Sequence, residues 1–359
     1  MLRLISSLAA CLLLAASACA APPGEASASD VQAGAENRAS LWTFGEAAET
    51  IRAASCDAGG APMQAMLPVD LTVTALSSRQ AGALAGRLPA GARLAGAWEL
   101  TSADPNFGGL SGLAAEDDTA LLAVTDSGAW VRLSLAGGAP SAAMIGYMRG
   151  PDGKFLSGKG TNDAEGLALR EGIALVSFER RFRIEAFAFS TCGAGAKAVE
   201  ISVLPTVFAG AKVDANDGPE AIDLTPAGHL RFAYEGASGT GSPIGHVGRG
   251  GKAEWTGAAM ANPPGFALTA METLAAPGAG ERHIALYRAF DPLRGARAIL
   301  VWGPDADQQI TLSRPVMTDN FEGLAARILA NGDLRLWIVS DNNFSPAQRT
   351  LLYAYDISP

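Results

Sequence analysis

Four glutamates recur along the chain at intervals of fifty-odd residues: Glu165, Glu220, Glu272 and Glu322, with Ser111 where a fifth would fall. Each of the five opens a short apolar run. A turn and a second apolar run follow, and the second run closes on Asp126, Glu179, Glu235, Arg288 or Asp341. The midpoints between opening and closing residue are Asp118-Thr119, Gly172, Ala227-Gly228, Gly280 and Asn331-Gly332, all turn-forming positions. Residues equidistant from a hairpin turn sit opposite each other. Each opening residue is therefore expected to face its closing residue at the open end of a hairpin. Eight of these ten positions are acidic in a chain with 36 acids among 359 residues.

Like charges gathered in this way repel, and burying them is costly unless something positive is present. A hard cation such as Ca²⁺ takes six to eight oxygen ligands. Glu165, Glu179, Glu220, Glu235, Glu322 and Asp341 form the candidate cage, and Asp163, Asn216, Asp217, Asp319, Asn320, Asn342 and Asn343 add oxygens at the same rim. A bound cation polarises a phosphoryl oxygen and acidifies its water. A carboxylate left free among Glu165, Glu220, Glu322 and Asp341 then serves as general base. Arg180, Arg183, Arg288 and Arg349 lie at the same edge and offer bidentate contacts to phosphate. The expected chemistry is metal-dependent hydrolysis of a small anionic phosphate ester.

The elements that must position these residues are short strands. From about Leu67 onward nearly everything comes as short apolar runs separated by Gly, Pro, Asn and Asp, and no long stretch has a helical period. A repeat near fifty residues filled with strands has the size of a propeller blade. The expected fold is all-β, a β-propeller of five to six blades of four-stranded antiparallel sheet. The first strand of each hairpin then lines the central channel, and the ten marked positions gather at one mouth. Runs such as VRLSLA, RIEAFAF and ILVWG supply outer strands, and the segments near Leu71–Leu76 or Leu94–Leu100 close the ring beside Leu351–Ile357.

GGLSGL, DAEGLAL, FERRFRI, DGPEAI and NFEGLA followed by VSDNNFSPAQRTLL resemble the bacterial family called "esterase-like activity of phytase", the phytase-like domain proteins. The resemblance runs from about Leu67 to the C-terminus. It implies a propeller, a site at the acidic residues, a phosphoesterase-like activity and an exported or envelope-associated protein. Two other readings stay open: a non-catalytic ligand-binding envelope propeller with a structural ion, and a propeller lactonase or other carboxylic-ester hydrolase.

Composition narrows the partners. A net charge of −9 and a pI near 4.9 argue against nucleic acid. Residues 1–20 read as a secretory signal. Ala16-Ser17-Ala18-Cys19 resembles a lipoprotein signal, with lipidation at Cys19 and release after Ala18 or Ala20 as the two alternatives. The expected location is the periplasm or beyond, as a secreted monomer or an envelope lipoprotein whose only membrane contact is the anchor. Residues 21–66 read as a tether and N-terminal segment with a short helix ending near Cys56, and 67–359 as the propeller. Cys56 and Cys192 remain as an even pair in an oxidising compartment, and a disulfide is the simplest reading.

Other motifs carry less. His229 and His283 flank hairpin turns and are expected to be exposed, and His246 lies in a Gly-rich loop, Gly236–Gly251, without the setting of a phosphate-binding loop. Ser111 lacks the G-x-S-x-G context of a nucleophile elbow.

Overall fold

A computed structural model describes residues 41–57, 66–236, 241–276, 280–303 and 307–358. The segment read as a secretory signal, Cys19 and the stretch to Ser40 read as a tether lie outside the described residues.

The chain enters through helix α1 (Phe44–Ser55), then strands β1 (Leu67–Val69) and β2 (Leu71–Ala75), helix α2 (Ser78–Ala85) and the long strand β3 (Ala92–Ser102). Blade one follows as β4 (Leu110–Ala115), β5 (Ala120–Thr125), β6 (Ala129–Ala136) and β7 (Ala139–Tyr147). The short helix α3 (Lys159–Asn162) leads to blade two: β8 (Ala164–Arg170), β9 (Ile173–Phe178), β10 (Arg183–Phe187), helix α4 (Phe189–Cys192) and β11 (Val199–Val203). A two-stranded ribbon, β12 (Val207–Phe208) and β13 (Ala211–Lys212), precedes blade three: β14 (Ala221–Leu224), β15 (Leu230–Ala233), β16 (Ser242–Val247) and β17 (Ala253–Met260). Blade four is β18 (Ala267–Ala276), β19 (Gly280–Asp291), β20 (Gly295–Gly303) and β21 (Gln308–Leu312). Blade five begins with β22 (Asn320–Ile328), β23 (Leu334–Asp341) and β24 (Thr350–Ile357).

The five sheets form a five-bladed β-propeller, so the blade count settles at five. β3 and β2 complete blade five next to β24, in the order β2-β3-β24-β23-β22, so both proposed closing segments belong to one blade. β1 adds a fifth strand to blade one, in the order β1-β7-β6-β5-β4. Blades one and five thus have five strands and the other three have four. The innermost strands β4, β8, β14, β18 and β22 neighbour one another around the channel.

Local sequence explains the hairpins. In blade two, Arg170 pairs with Ile173 across a two-residue loop. Glu171 and Gly172 both take positive φ, 47° and 74°, as a type I′ turn requires. The runs ALLAVT of β5 and IALVSF of β9 are buried throughout, as expected of strands covered on both faces. Five apolar clusters form the core, one at each blade–blade boundary.

The folded unit begins at Leu41, well before the Leu67 start read from the sequence. Trp42, Phe44, Ala48 and Ile51 of the α1 segment join the core between blades two and three. Cys56 and Cys192 are joined in a disulfide, with Cα atoms 5.9 Å apart, which fastens the end of α1 to α4. The same segment covers His229, whose Nδ1 lies 3.4 Å from the Trp42 carbonyl oxygen; His229 and His283 are both partly buried rather than exposed. His246 sits within β16, not in a loop. Among the described residues no helix is long and apolar enough to cross a membrane.

Candidate functional site

The residues at the heads of the inner strands are the ones that leave the sheet ladder. The β4/β5 register skips Ser111, β8/β9 skips Glu165 and Gly166, and β22/β23 skips Glu322. In blade three Glu220 stands just before β14. A bulge bends a strand and re-aims its side chain, and here Ser111, Glu165, Glu220 and Glu322 all line one cavity. The small residue after each head lets neighbouring inner strands approach. A β-carbon on Gly166 would come within 2.8 Å of the Glu220 carbonyl oxygen.

Glu272 is not among them. In blade four the skipped residue is Thr269, and Glu272 lies farther along β18, paired with Ile284. The register joins Ala276 to Gly280 and Ala267 to Arg288, so Glu272 and Arg288 do not face each other. Glu272 lines a separate cavity of about 410 Å³, together with Asp223, Arg170 and Arg327. Burial, helped by Asp223, raises its carboxyl to about 8. The bulges also offset the expected face-to-face pairs: Asp341 lies opposite Asn320, not Glu322.

The acidic cavity measures about 780 Å³ and is lined by Asp126, Asp163, Glu165, Glu179, Glu220, Glu322 and Asp341, with Asp319 and Asn320 at its edge. Asp163, Glu165 and Glu179, all buried, can place one carboxylate oxygen each within 4.8 Å of one another. Glu165 and Glu220 are 8% and 5% exposed, and neither side chain has a hydrogen-bond or ion-pair partner among the described residues. Burial, then the charges of Glu220, Glu322, Glu179 and Asp163, push the Glu165 carboxyl well above the usual range. Glu220 is raised likewise by burial, against the pull of Arg288. Burial lifts Glu179 to about 7 although it accepts the Gly218 N–H, and lifts Glu322 to about 8 and Asp341 to about 6.

Three cationic side chains enter this ring. Lys159 Nζ lies 3.0 Å from Asp126 Oδ2 and 3.4 Å from Asp163 Oδ1. Arg180 Nε donates to Asp163 Oδ2 at 3.0 Å. Arg288 lies 3.1 Å from Glu235 Oε1 and 3.4 Å from Glu322 Oε1, and donates to Asn320 Oδ1 at 3.2 Å. Glu235 meets Arg288 but does not itself line the cavity.

Arg183 and Arg349 lie elsewhere. Arg183 is buried, paired with Glu185 at 2.9 Å and stacked 3.9 Å from the Phe178 ring centre. Arg349 Nη1 donates to Glu99 Oε1 at 2.8 Å beside a neighbouring cleft. Lys159 and Arg314 line the cavity and were not singled out from sequence, because both sit on connections outside the repeat. Lys159 could have been suspected only from its spacing of four before Asp163.

The fold and this mouth define a five-bladed β-propeller with an acid-lined cavity at one end of its channel. The chain belongs to the Phytase-like family, "Esterase-like activity of phytase", whose model matches residues 105–344. No curated protein matches it. Among solved structures it is similar to the PQQ-bound form of aldose sugar dehydrogenase from Streptomyces coelicolor, with 12% identity, 83% of this chain and 100% of that chain covered, and a TM-score of 0.41. A protein of unknown function from Dyadobacter fermentans shares 12% identity over 83% of this chain and 97% of its own, with a TM-score of 0.34. A thermostable family-43 glycoside hydrolase shares 11% identity over 68% of this chain and 89% of its own, with a TM-score of 0.35.

Proposed function

We propose that this protein hydrolyses phosphate esters with the aid of a divalent cation, Ca²⁺, at the acidic mouth of the channel. The observation that carries this reading is the buried trio Asp163, Glu165 and Glu179 beside the unpartnered Glu220. Hard carboxylate oxygens, including those of the unpartnered Glu165 and Glu220, fit an oxygen-loving cation. Asp163, Glu165 and Glu179 would hold it. When bound, such an ion polarises a phosphoryl oxygen and makes water more acidic.

The chain's own groups supply the rest. Lys159, Arg180 and Arg314 line the same cavity and receive the anionic oxygens of the substrate. Glu220 takes the proton of the attacking water. The water oxygen bonds to phosphorus, the ester P–O bond breaks, the departing oxygen takes a proton from solvent, and Glu220 returns its own proton to solvent. The Cys56–Cys192 disulfide supports an oxidising compartment as the place of work.

The test is nitrophenol release from phosphomonoester and phosphodiester substrates, with Ca²⁺ or with chelator. Glu165→Gln and Glu220→Gln proteins run alongside after their folding is checked by circular dichroism. Chelator-sensitive turnover, reduced about 100-fold or more in both variants, is expected. Absence of turnover, with a tightly held ion and a large chelator-induced fall in Tm, would replace this reading with a binding propeller built around a structural ion.

A further inference from the structure

We propose that Arg288 takes the place of a second cation in the acid ring, so that the site holds a single divalent ion, in the half formed by Asp163, Glu165 and Glu179. The inference rests on the metal-dependent reading above and concerns how many ions the ring accepts.

The position of Arg288 in the fold is the first argument. In blades one, two and three an acid, Asp126, Glu179 or Glu235, follows within two residues of the end of the second strand, and in blade five that strand ends on Asp341. In blade four Arg288 of β19 lies opposite Ala267, two residues before the skipped Thr269, just as Asp341 lies opposite Asn320, two before the skipped Glu322. The repeat therefore delivers a guanidinium to a station that elsewhere holds a carboxylate.

Its contacts are the second argument. Arg288 lies 3.1 Å from Glu235 and 3.4 Å from Glu322, and donates to Asn320. Asn320 also donates to Glu322 Oε1 at 2.7 Å. This half of the ring already has its counter-charge. Burial acts against the charged guanidinium, yet Glu322, Glu220, Glu235 and Glu165 hold its proton more tightly than in water.

The other half is unlike it. Glu165 is buried without a partner, and Asp163 and Glu179 lie close enough to share an ion with it. Their cationic neighbours are looser: the side chains of Lys159 and Arg180 are 65% and 37% exposed, against 29% for Arg288. Two dications in one mouth would repel each other strongly at low dielectric. A fixed guanidinium supplies positive charge on one side only, cannot be chelated away, and repels an ion from its own half.

Calcium per chain is the deciding quantity, read by titration calorimetry and by elemental analysis of dialysed protein. Wild type, Arg288→Lys and Arg288→Met are compared, with melting curves to establish folding. One ion is expected in wild type and in Arg288→Lys, and two in Arg288→Met. Two ions in wild type, or one in Arg288→Met, would overturn the role of Arg288 while leaving a metal site in place. No ion in wild type would overturn both this inference and the metal-dependent reading. Should Arg288→Met fail to fold, Arg288→Gln takes its place, with the same expected count of two.

Discussion

A β-carbon placed on Gly112 would stand 2.4 Å from the carbonyl oxygen of Glu165. Adjacent inner strands therefore touch, backbone against glycine, at the level of the acid ring. Gly112→Ala must push β4 from β8 and shift Glu165. A stability loss of about 1–3 kcal/mol is expected, as for other overpacked sites. Urea denaturation measures it, and an unchanged midpoint would show that the strands have slack at this point.

Stability should depend on pH through the far cavity as well as the near one. Burial raises the Glu272 carboxyl to about 8 from an ordinary 4.5. Between those values the folded chain keeps a proton that the unfolded chain has released, so stability falls as pH rises. The contribution is complete below about pH 4.5 and gone above about pH 8. Partial exposure of Glu272 reduces the effect to about 1–2 kcal/mol. Glu272→Gln should flatten that part of the pH–stability curve and leave calcium binding unaltered. A curve identical to wild type would mean that Glu272 is ionised and well solvated.

Arg180 and Arg183, three residues apart, should separate cleanly in mutants. Arg180 borders the cavity, and Arg180→Met is expected to raise KM for phosphate esters about tenfold with little loss of stability. Arg183 is sealed against Glu185, and Arg183→Met should cost about 3–5 kcal/mol by leaving a buried carboxylate alone. KM should hold steady in that variant. Steady-state kinetics and chemical denaturation on both proteins decide between these roles.

The disulfide ties α1 to the outside of blade two. Replacing Cys56 and Cys192 together with Ser should lower stability by about 2–4 kcal/mol. Proteolysis after Arg52 should then become fast, because Phe44 and Ile51 can lift from the core between blades two and three. Unchanged resistance to trypsin would mean that the apolar contacts of α1 suffice.

Much of this molecule was legible in its repeats. The five hairpins, the single acidic mouth and the place of Glu165, Glu220 and Glu322 followed from spacing, because an acid, a small residue and an apolar residue recur as a unit in EGL and EAI. The bulges were not legible. A residue that drops out of the ladder has no composition of its own, and at Thr269 it carries no charge, so Glu272 three residues later attracted the assignment. Arg183 did leave a sign: Glu185 is two residues on, hence on the same strand face, where the pair satisfies itself. The helix α1 was seen, and the Cys56–Cys192 pair tied its end to the main domain, but the blade boundary it covers was not legible, since a short amphipathic helix does not say which surface it packs on.

The fifth blade joins Thr350 of β24 to Leu100 of β3. Strands that far apart in sequence cannot register until nearly all of the intervening chain exists. Blades one to four can each assemble from local hairpins, but none becomes part of a sealed ring before residues 350–357 arrive. Such non-local pairing slows folding towards the millisecond-to-second range. The last eight-residue strand thus acts as a latch, and a chain cut short of it would leave β3 and β23 as open edges, available to one another's neighbours in a second molecule.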